Sequence, residues 1–173
     1  MTLGADHEII SRRIDRFINE WTLWRAIPLV GTGSLTLRLQ RLDRGLEGDQ
    51  SYYIAHESQV RGLPVIDLER QPAPDLGVEV DHTSSSLPKM PIYAAMGVAE
   101  VWRWSNGTLT IHHLVDGEYV ESNDSQALPG FPWEQLRQAL TQRHEKDETT
   151  MIREFRQWLQ DQSGDGPKPN AAD

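Results

Sequence analysis

The sequence predicts an α/β fold, in which a sheet is flanked by helices, and three observations lead to that prediction. Residues 76–104 have the pattern of a strand, a turn, a short helix and a second strand. An apolar stripe at helical spacing precedes this unit. Two turn dipeptides, Asn106-Gly107 and Asp116-Gly117, follow it and are typical of β-hairpins. We therefore expect one domain organised around the β–α–β unit, which is also where we expect the chemistry.

The N-terminal segment predicts a helix from Asp6 to about Ala26. Asp6 is available as its cap, and Pro28 should end it. Five residues form the apolar face of this helix: Ile10, Ile14, Phe17, Ile18 and Trp21.

Two strands are predicted between this helix and the central unit. Ser34 to Leu42 alternates leucine with polar residues, which is the period of a half-buried strand. Ser51 to Ala55 predicts a second strand, and Asp49 lies where that strand would begin.

The central unit opens with a strictly alternating strand. Its side chains divide between two faces, Leu76, Val78 and Val80 on one and Gly77, Glu79 and Asp81 on the other. One face is therefore core, and the other carries two carboxylates. Leu87 to Met96 predicts a helix that stops at Gly97, and Glu100 to Trp104 predicts a further strand.

The C-terminal third predicts a β-meander and two helices. The hairpin dipeptides would join the strand that ends at Trp104 to two further strands at one edge of the sheet. Trp133 to about His144 and Thr149 to Gln160 have the pattern of amphipathic helices. Residues 163–173 have the composition of a disordered tail, which leaves residues 1–162 as a single domain.

The composition limits the chemistry. The chain of 173 residues has no cysteine, which excludes disulfides, zinc–thiolate sites and a cysteine nucleophile. Any metal must then be held by oxygen or imidazole, and a hard cation such as Mg²⁺ is expected. No apolar run approaches the roughly 20 residues that span a bilayer, and the N-terminus lacks the plan of a signal peptide. We expect a cytoplasmic protein without membrane attachment.

The net charge of −9 argues weakly against a general affinity for nucleic acid. The distribution of charge weakens that argument, because residues 1–45 contain seven arginines and five acids and so have a net positive charge. These arginines could contact phosphates, or they could form a solvated face balanced by neighbouring acids. They are Arg12, Arg13, Arg16, Arg25, Arg38, Arg41 and Arg44.

A few acidic residues could hold a metal ion for phosphodiester cleavage, which needs two or three acidic oxygens and a nearby positive charge. Asp75 and Glu79 would lie about 13 Å apart along an extended strand, too far to share an ion. Asp49 could lie beside Glu79 if their strands pair, and Lys89 opens the helix that follows. Plain structural alternatives stay open: Glu79 as a sheet residue paired with an arginine, Asp49 as a turn residue and Lys89 as an exposed lysine.

Longer patterns around these residues resemble a known family. The run PDLGVEVDHTSSSLPKMPIYAAMGVAEVWRW and the upstream GLEGDQSYYI closely resemble the Uma-two family, predicted restriction endonucleases abundant in cyanobacteria and placed in the PD-(D/E)XK nuclease superfamily. The similarity extends from about His7 to the C-terminal helices. It implies a restriction-endonuclease-like αβββαβ core with a mixed sheet flanked by helices, followed by a β-meander and C-terminal helices.

The resemblance also implies which residues form the site. Asp49 matches the first metal ligand, Glu79 the second, and the backbone carbonyl of Val80 is the expected third. Asp81 occupies the position of the superfamily lysine. In this family the lysine is displaced into the helix, where Lys89 fits.

Three further positions follow from the same resemblance. The usual acid of the first helix could be Glu8, or Glu20 as a weaker candidate, and Asp81 is a possible additional acid. The family's proline before the first aspartate is Gly48 here, a change that the backbone should tolerate.

Two functions from different classes fit these observations. The leading one is a DNA endonuclease that depends on Mg²⁺ or Mn²⁺, in which Asp49 and Glu79 hold the ion and Lys89 orients water or offsets charge. The alternative is a catalytically inactive nuclease-fold module that binds nucleic acid or a protein partner. A zinc or histidine-catalysed enzyme is disfavoured, because the six histidines show no ligand spacing.

The oligomeric state is expected from the resemblance alone. Many nucleases of this superfamily cut two strands with two sites, so we expect a homodimer. Trp102 to Trp104 and Trp158 are candidates for its interface, and each is equally well explained as a core residue.

Overall fold

The computed structural model describes residues 4–34, 36–39, 44–81 and 89–162. Six strands form one sheet in the order β1-β4-β5-β6-β7-β8, and β2 and β3 form a separate antiparallel pair. In the large sheet β5 and β6 are parallel, and the other neighbours are antiparallel. The elements are α1 (Ala5–Arg25), β1 (Val30–Gly31), β2 (Thr36–Leu39), β3 (Arg44–Glu47), β4 (Gln50–Tyr53), α2 (Glu57–Val60), β5 (Leu76–Val80), α3 (Lys89–Met96), β6 (Glu100–Ser105), β7 (Thr108–Val115), β8 (Glu118–Ser122), α4 (Trp133–Thr141) and α5 (Glu148–Gln162). This mixed sheet flanked by helices confirms the predicted fold class.

The predicted elements are recovered with small changes of boundary. Within the predicted strand 34–42 the structure has β2 at Thr36–Leu39, and residues 35 and 40–42 lie outside the described residues. Residues 82–88, which include the first two residues of the predicted helix Leu87–Met96, and the predicted tail 163–173 also lie outside them. The domain boundary at residue 162 stays a prediction.

Helix α1 begins and ends differently from the prediction. Gly4 is at its N-cap, whereas Asp6 lies in the first turn and accepts two hydrogen bonds from Arg143, at 2.7 and 3.1 Å. The helix ends at Arg25, before Pro28, because Ala26 adopts the left-handed conformation with φ of 53°. The apolar face is as predicted and packs against the sheet.

The β–α–β unit is formed by β5, α3 and β6. Gly97 has φ of +81° directly after α3, so the helix stops where the sequence predicted. The parallel register then places Glu79 opposite Arg103. Trp102 and Trp104, proposed as interface or core, are core residues packed between the sheet and α1.

The second face of the sheet is covered by α3. Val101 packs there against Tyr93, Met96 and Val98. Every residue of β5 is consequently buried, including Glu79, of which only 2% is exposed. The carboxylate face of β5 is therefore an interior surface.

The meander is confirmed by its turns. Asn106 and Asp116 have φ of 51° and 50°, and the glycines that follow them have φ of 78° and 85°. Two successive positive φ angles are the signature of the type I′ turn that matches the twist of paired strands. Helices α4 and α5 then return to pack on α1, where Phe17 and Phe155 stack with ring centres 4.3 Å apart.

The N-terminal arginines whose side chains the structure describes have protein partners. Arg12 and Arg16 pair with Glu148 at 3.1 and 3.8 Å. Arg25 lies over the ring of Trp21, 5.7 Å from its centre. These contacts favour the balanced-face alternative.

Arg13 is a buried helix cap. Its guanidinium donates to the carbonyl oxygens of Ala139, Arg143 and Lys146 at 2.9–3.1 Å. These carbonyls lie at and just beyond the C-terminus of α4, where backbone acceptors have no helical partner. Arg38, Arg41 and Arg44 lie outside the residues whose side chains are described.

Within the described part of the chain, no helix has both the length and the apolar character needed to cross a membrane.

Candidate active site

The sheet brings Asp49 and Glu79 together. Gln50, the first residue of β4, is paired with Val78 of β5, and Asp49 lies in the bend directly before Gln50. The charge of Asp49 acts to raise the pKa of Glu79, so the two carboxylates lie near each other. Asp49 is fixed there because its Oδ2 accepts a 2.6 Å hydrogen bond from the backbone N–H of Val80.

Glu79 is held by two residues of α3. Lys89 Nζ donates to its Oε2 at 2.5 Å, and the Tyr93 hydroxyl donates to its Oε1 at 2.6 Å. Lys89 and Tyr93 are four residues apart and so lie on one face of the helix. Lys89, the lysine that the family resemblance implied for the site, thus lies on the helix beside Glu79.

Burial and charge act against each other in this pair. Burial raises the pKa of Glu79 above its ordinary value, and the hydrogen bond and charge of Lys89 oppose that shift. Burial acts to lower the pKa of Lys89, but the hydrogen bond and charge of Glu79 outweigh it and raise the pKa. The ammonium of Lys89 therefore stays charged, and Asp49 adds a second carboxylate beside it.

Asp81 has a cationic partner on the neighbouring strand. Arg103 of β6 donates from Nε to Asp81 Oδ2 at 2.5 Å, and its second nitrogen also pairs with this carboxylate. Arg103 thus balances the charge of Asp81. Sequence reasoning missed Arg103.

The residue of α1 that reaches the site is His7, whereas Glu8 was expected. His7 is 5% exposed, and its Nε2 lies 3.2 Å from Asp49 Oδ2. The side chain of Glu8 is 64% exposed and contacts the other ring nitrogen of His7 at 3.2 Å. Glu20, the weaker candidate, accepts two 2.7 Å hydrogen bonds from Arg156.

A sequence signal for His7 existed. It lies three residues before Ile10 and seven before Ile14, so it shares the buried face of α1, and Glu8 does not. A histidine on the core-facing stripe, at the end of the helix nearest Asp49, was the better candidate.

Asp75 is separate from the site, as its spacing predicted. Its carboxylate accepts from the backbone N–H groups of Ile54 and His56 at 2.6 and 3.1 Å, and it lies 2.6 Å from the ring of His56. It stands just before β5, at the opposite end of the strand from Glu79.

A small cleft opens beside the candidate site. It has a volume of about 120 Å³ and is lined by His7, Val80, Asp81, Trp104 and Arg143, among others. It opens at the C-terminal end of β5, beside the Val80 backbone whose N–H binds Asp49.

The donor set fits a hard divalent cation. Carboxylate and carbonyl oxygens are the ligands that Mg²⁺ prefers, and Mg²⁺ usually keeps several waters. Among the described residues no three histidine, aspartate or glutamate side chains form a metal cluster. An ion here would therefore bind the two acids, backbone oxygen and water.

Comparison with known proteins shows a likeness of fold. The chain is similar to a crystal structure described as "a putative nuclease belonging to DUF820" from Anabaena variabilis ATCC 29413, with a TM-score of 0.53 and 17% sequence identity over 92% of this chain and 84% of that one. At this identity the likeness concerns the fold alone. No curated protein matches the chain.

The family follows from the sequence itself. The model of the Uma2 family, described as "Putative restriction endonuclease", matches residues 1–136. The chain therefore belongs to this family, the one whose strand, serine-rich turn and helix were recognised in the sequence analysis.

Proposed function

We propose that this protein is a DNA endonuclease that hydrolyses phosphodiester bonds with Mg²⁺ or Mn²⁺ as its cofactor. The observation that carries the proposal is the proximity of Asp49, directly before β4, to Glu79 on the paired strand β5, with Lys89 bonded to Glu79. Membership of a family of restriction endonucleases supports the same class of reaction and DNA as the substrate.

Each residue of the site has a role in this proposal. Asp49, Glu79 and the carbonyl of Val80 would hold the ion. When bound, such an ion polarises a phosphate oxygen and lowers the pKa of a coordinated water. Lys89 orients Glu79 and keeps a positive charge at the place where negative charge grows on the phosphate.

The two additional acids considered in the sequence would act indirectly. Glu8 contacts His7, which in turn contacts Asp49. Asp81 contacts Arg103, and that pair stands beside the Glu79–Lys89 pair on the same face of the sheet. We therefore propose both as residues that orient the site.

The test compares four proteins: wild type, Asp49→Asn, Glu79→Gln and Glu118→Gln. Glu118 is the control, an exposed acid on edge strand β8. Calorimetric titration with Mn²⁺ measures metal binding, and incubation of the metal-loaded proteins with supercoiled plasmid measures nicking. Wild type and the control should bind Mn²⁺ and nick the plasmid, whereas the nicking rate of both site variants should fall by more than about 100-fold. A loss of this size exceeds the roughly 10- to 100-fold loss that is usual when a residue merely orients a metal ligand.

Nicking that persists in both site variants, with the fold intact by circular dichroism, would refute the assignment of the site. DNA binding by wild type without metal binding or nicking would instead support the inactive binding module, which the acid at position 81 favours. The expected homodimer and the cytoplasmic location stay predictions.

A further inference from the structure

Tyr93 is the second residue of α3 that bonds to Glu79. It is 1% exposed, and its hydroxyl donates to Glu79 Oε1 at 2.6 Å. Burial and the neighbouring Glu79 raise its pKa, so the hydroxyl keeps its proton and remains a donor. Lys89 binds the other oxygen of the same carboxylate. Helix α3 thus donates a hydrogen bond to each carboxylate oxygen of Glu79, one of the proposed metal ligands.

Gly48 leaves the space that the Tyr93 hydroxyl fills. A Cβ atom built on Gly48 would lie 2.1 Å from that hydroxyl oxygen and 3.5 Å from Glu79 Oε1. Gly48 does not adopt the positive φ that explains several other glycines of the chain. Its lack of a side chain is therefore required by the tyrosine and not by the backbone.

Gly77 faces the ring of the same tyrosine. A Cβ atom there would lie 3.1 Å from Tyr93 Cε1 and 3.5 Å from Cζ. Ser51 is its antiparallel neighbour on β4. Two glycines on adjacent chain segments, one just before Asp49 and one two residues before Glu79, thus border the phenol.

We propose that Tyr93 is a positioning residue that fixes the carboxylate of Glu79 for metal binding, and that Gly48 and Gly77 are present to admit its ring. This inference rests on the proposed function.

The physical reason lies in the geometry of the two donors. Lys89 is a point charge on a flexible stem, so it fixes the position of an oxygen but not the plane of the carboxylate. A second, rigid donor on the other oxygen fixes that plane. Without it the carboxylate of Glu79 can rotate, and a metal that needs near-ideal octahedral geometry loses an oriented ligand.

The test measures Mn²⁺ affinity by calorimetry for wild type, Tyr93→Phe, Gly48→Ala and the double variant. Tyr93→Phe should weaken Mn²⁺ binding by about 10-fold or more, the usual effect of losing a group that orients a ligand. Gly48→Ala should weaken it similarly, since its methyl group displaces the hydroxyl. In the Tyr93→Phe background Gly48→Ala should add little, because the next atom it meets, Tyr93 Cζ, is 3.4 Å away.

Tyr119→Phe is the matched control. Its hydroxyl also donates a 2.6 Å hydrogen bond, a partly buried one, to the carbonyl of Val98, and its ring packs against the same cluster as Tyr93. This variant loses an equivalent bond without touching Glu79. It should therefore retain the wild-type affinity for Mn²⁺, although it loses stability.

The outcomes separate the two proposals. Wild-type affinity in Tyr93→Phe, or equal losses in Tyr93→Phe and Tyr119→Phe, would overturn the positioning role while leaving the metal site standing. Additive effects of Gly48→Ala and Tyr93→Phe would overturn the role given to Gly48. Failure of the wild-type protein to bind Mn²⁺ would refute both the proposed function and this inference.

Discussion

Replacing Glu100 by glutamine should destabilise the fold strongly and leave the candidate active site intact. Glu100 is 1% exposed at the start of β6. Trp102 Nε1 and the hydroxyl of Ser125 each donate to its Oε1 at 2.5 Å. The backbone N–H groups of Gln126 and Ala127 donate to its Oε2 at 2.7 and 3.0 Å. Four donors thus converge on one carboxylate and tie the segment after β8 to the sheet.

Glutamine has the same shape but only one acceptor oxygen. If that oxygen faces the two backbone N–H groups, the amide NH₂ meets the indole N–H of Trp102, so two donors face each other. A buried donor left without a partner costs about 1–3 kcal/mol, and each remaining bond weakens by roughly 1 kcal/mol on losing the charge. Removing the cost of burying a charge offsets part of this, so we expect a loss of about 3 kcal/mol.

Urea unfolding measures this loss, with Glu118→Gln on the exposed edge strand as the control. The free energy of unfolding should fall in Glu100→Gln and stay within about 0.5 kcal/mol of wild type in the control. Mn²⁺ affinity of the folded protein should be unchanged, in contrast to Glu79→Gln. A loss below about 1 kcal/mol would refute the reasoning, since it would mean that the four donors do not need a carboxylate.

Two further predictions concern the helical layer and the outer strands. Arg13→Met should lower the free energy of unfolding by about 3 kcal/mol, because three carbonyls lose a charged donor. Its affinity for DNA in a binding assay should stay within twofold of wild type. A large loss of DNA affinity without a loss of stability would instead support the hypothesis that Arg13 contacts phosphate. Burial lowers the pKa of His112, with the charges of Arg103 and His113 acting in the same direction and that of Glu121 against it. The unfolded state therefore binds the extra proton first as the pH falls through about 6.5, and wild type should lose stability there relative to His112→Gln, by at most about 1.4 kcal/mol per pH unit. Parallel stability curves of the two proteins between pH 7.5 and 5 would contradict this.

The parts of the fold that the sequence predicted are those with local signals. The apolar stripe of α1, the turn at Gly97 and the two hairpin dipeptides each involve residues within a few positions of one another. The nearness of Asp49 to Glu79 was also within reach, because Asp49 directly precedes a strand that could pair with the strand of Glu79.

The contacts that escaped prediction depend on how distant elements pack. Arg13 caps carbonyls more than 100 positions away in sequence, so nothing near it indicates a capping role. Gly48 resembles an ordinary loop glycine until the hydroxyl of Tyr93 is seen in its place. His7 carried a signal in its helical face, but its partner Asp49 was identifiable only once α1 was packed on the sheet.

The Glu100-x-Trp102 pattern lies in the run that resembles the family, and the structure gives it a structural reason. Residues two apart on a strand point to the same face, so Trp102 can donate to Glu100 from within β6. A motif that identifies a family can thus reflect a packing requirement. The residues proposed for chemistry, Asp49 and Lys89, lie in stretches of sequence with a less specific pattern.

The lysine of the site can come from the helix because α3 lies across the face of β5 that carries Glu79. Position 81, two residues further along that strand, and Lys89 on the helix both adjoin the same carboxylate face. With the helix supplying the cation, the strand position is free to hold an acid, provided that a neighbour balances it, and Arg103 of β6 does so. The face then carries the carboxylates of Asp49, Glu79 and Asp81 against the cations of Lys89 and Arg103. One negative charge is left over in a largely buried site, and a divalent cation is the kind of ligand that such a surplus favours.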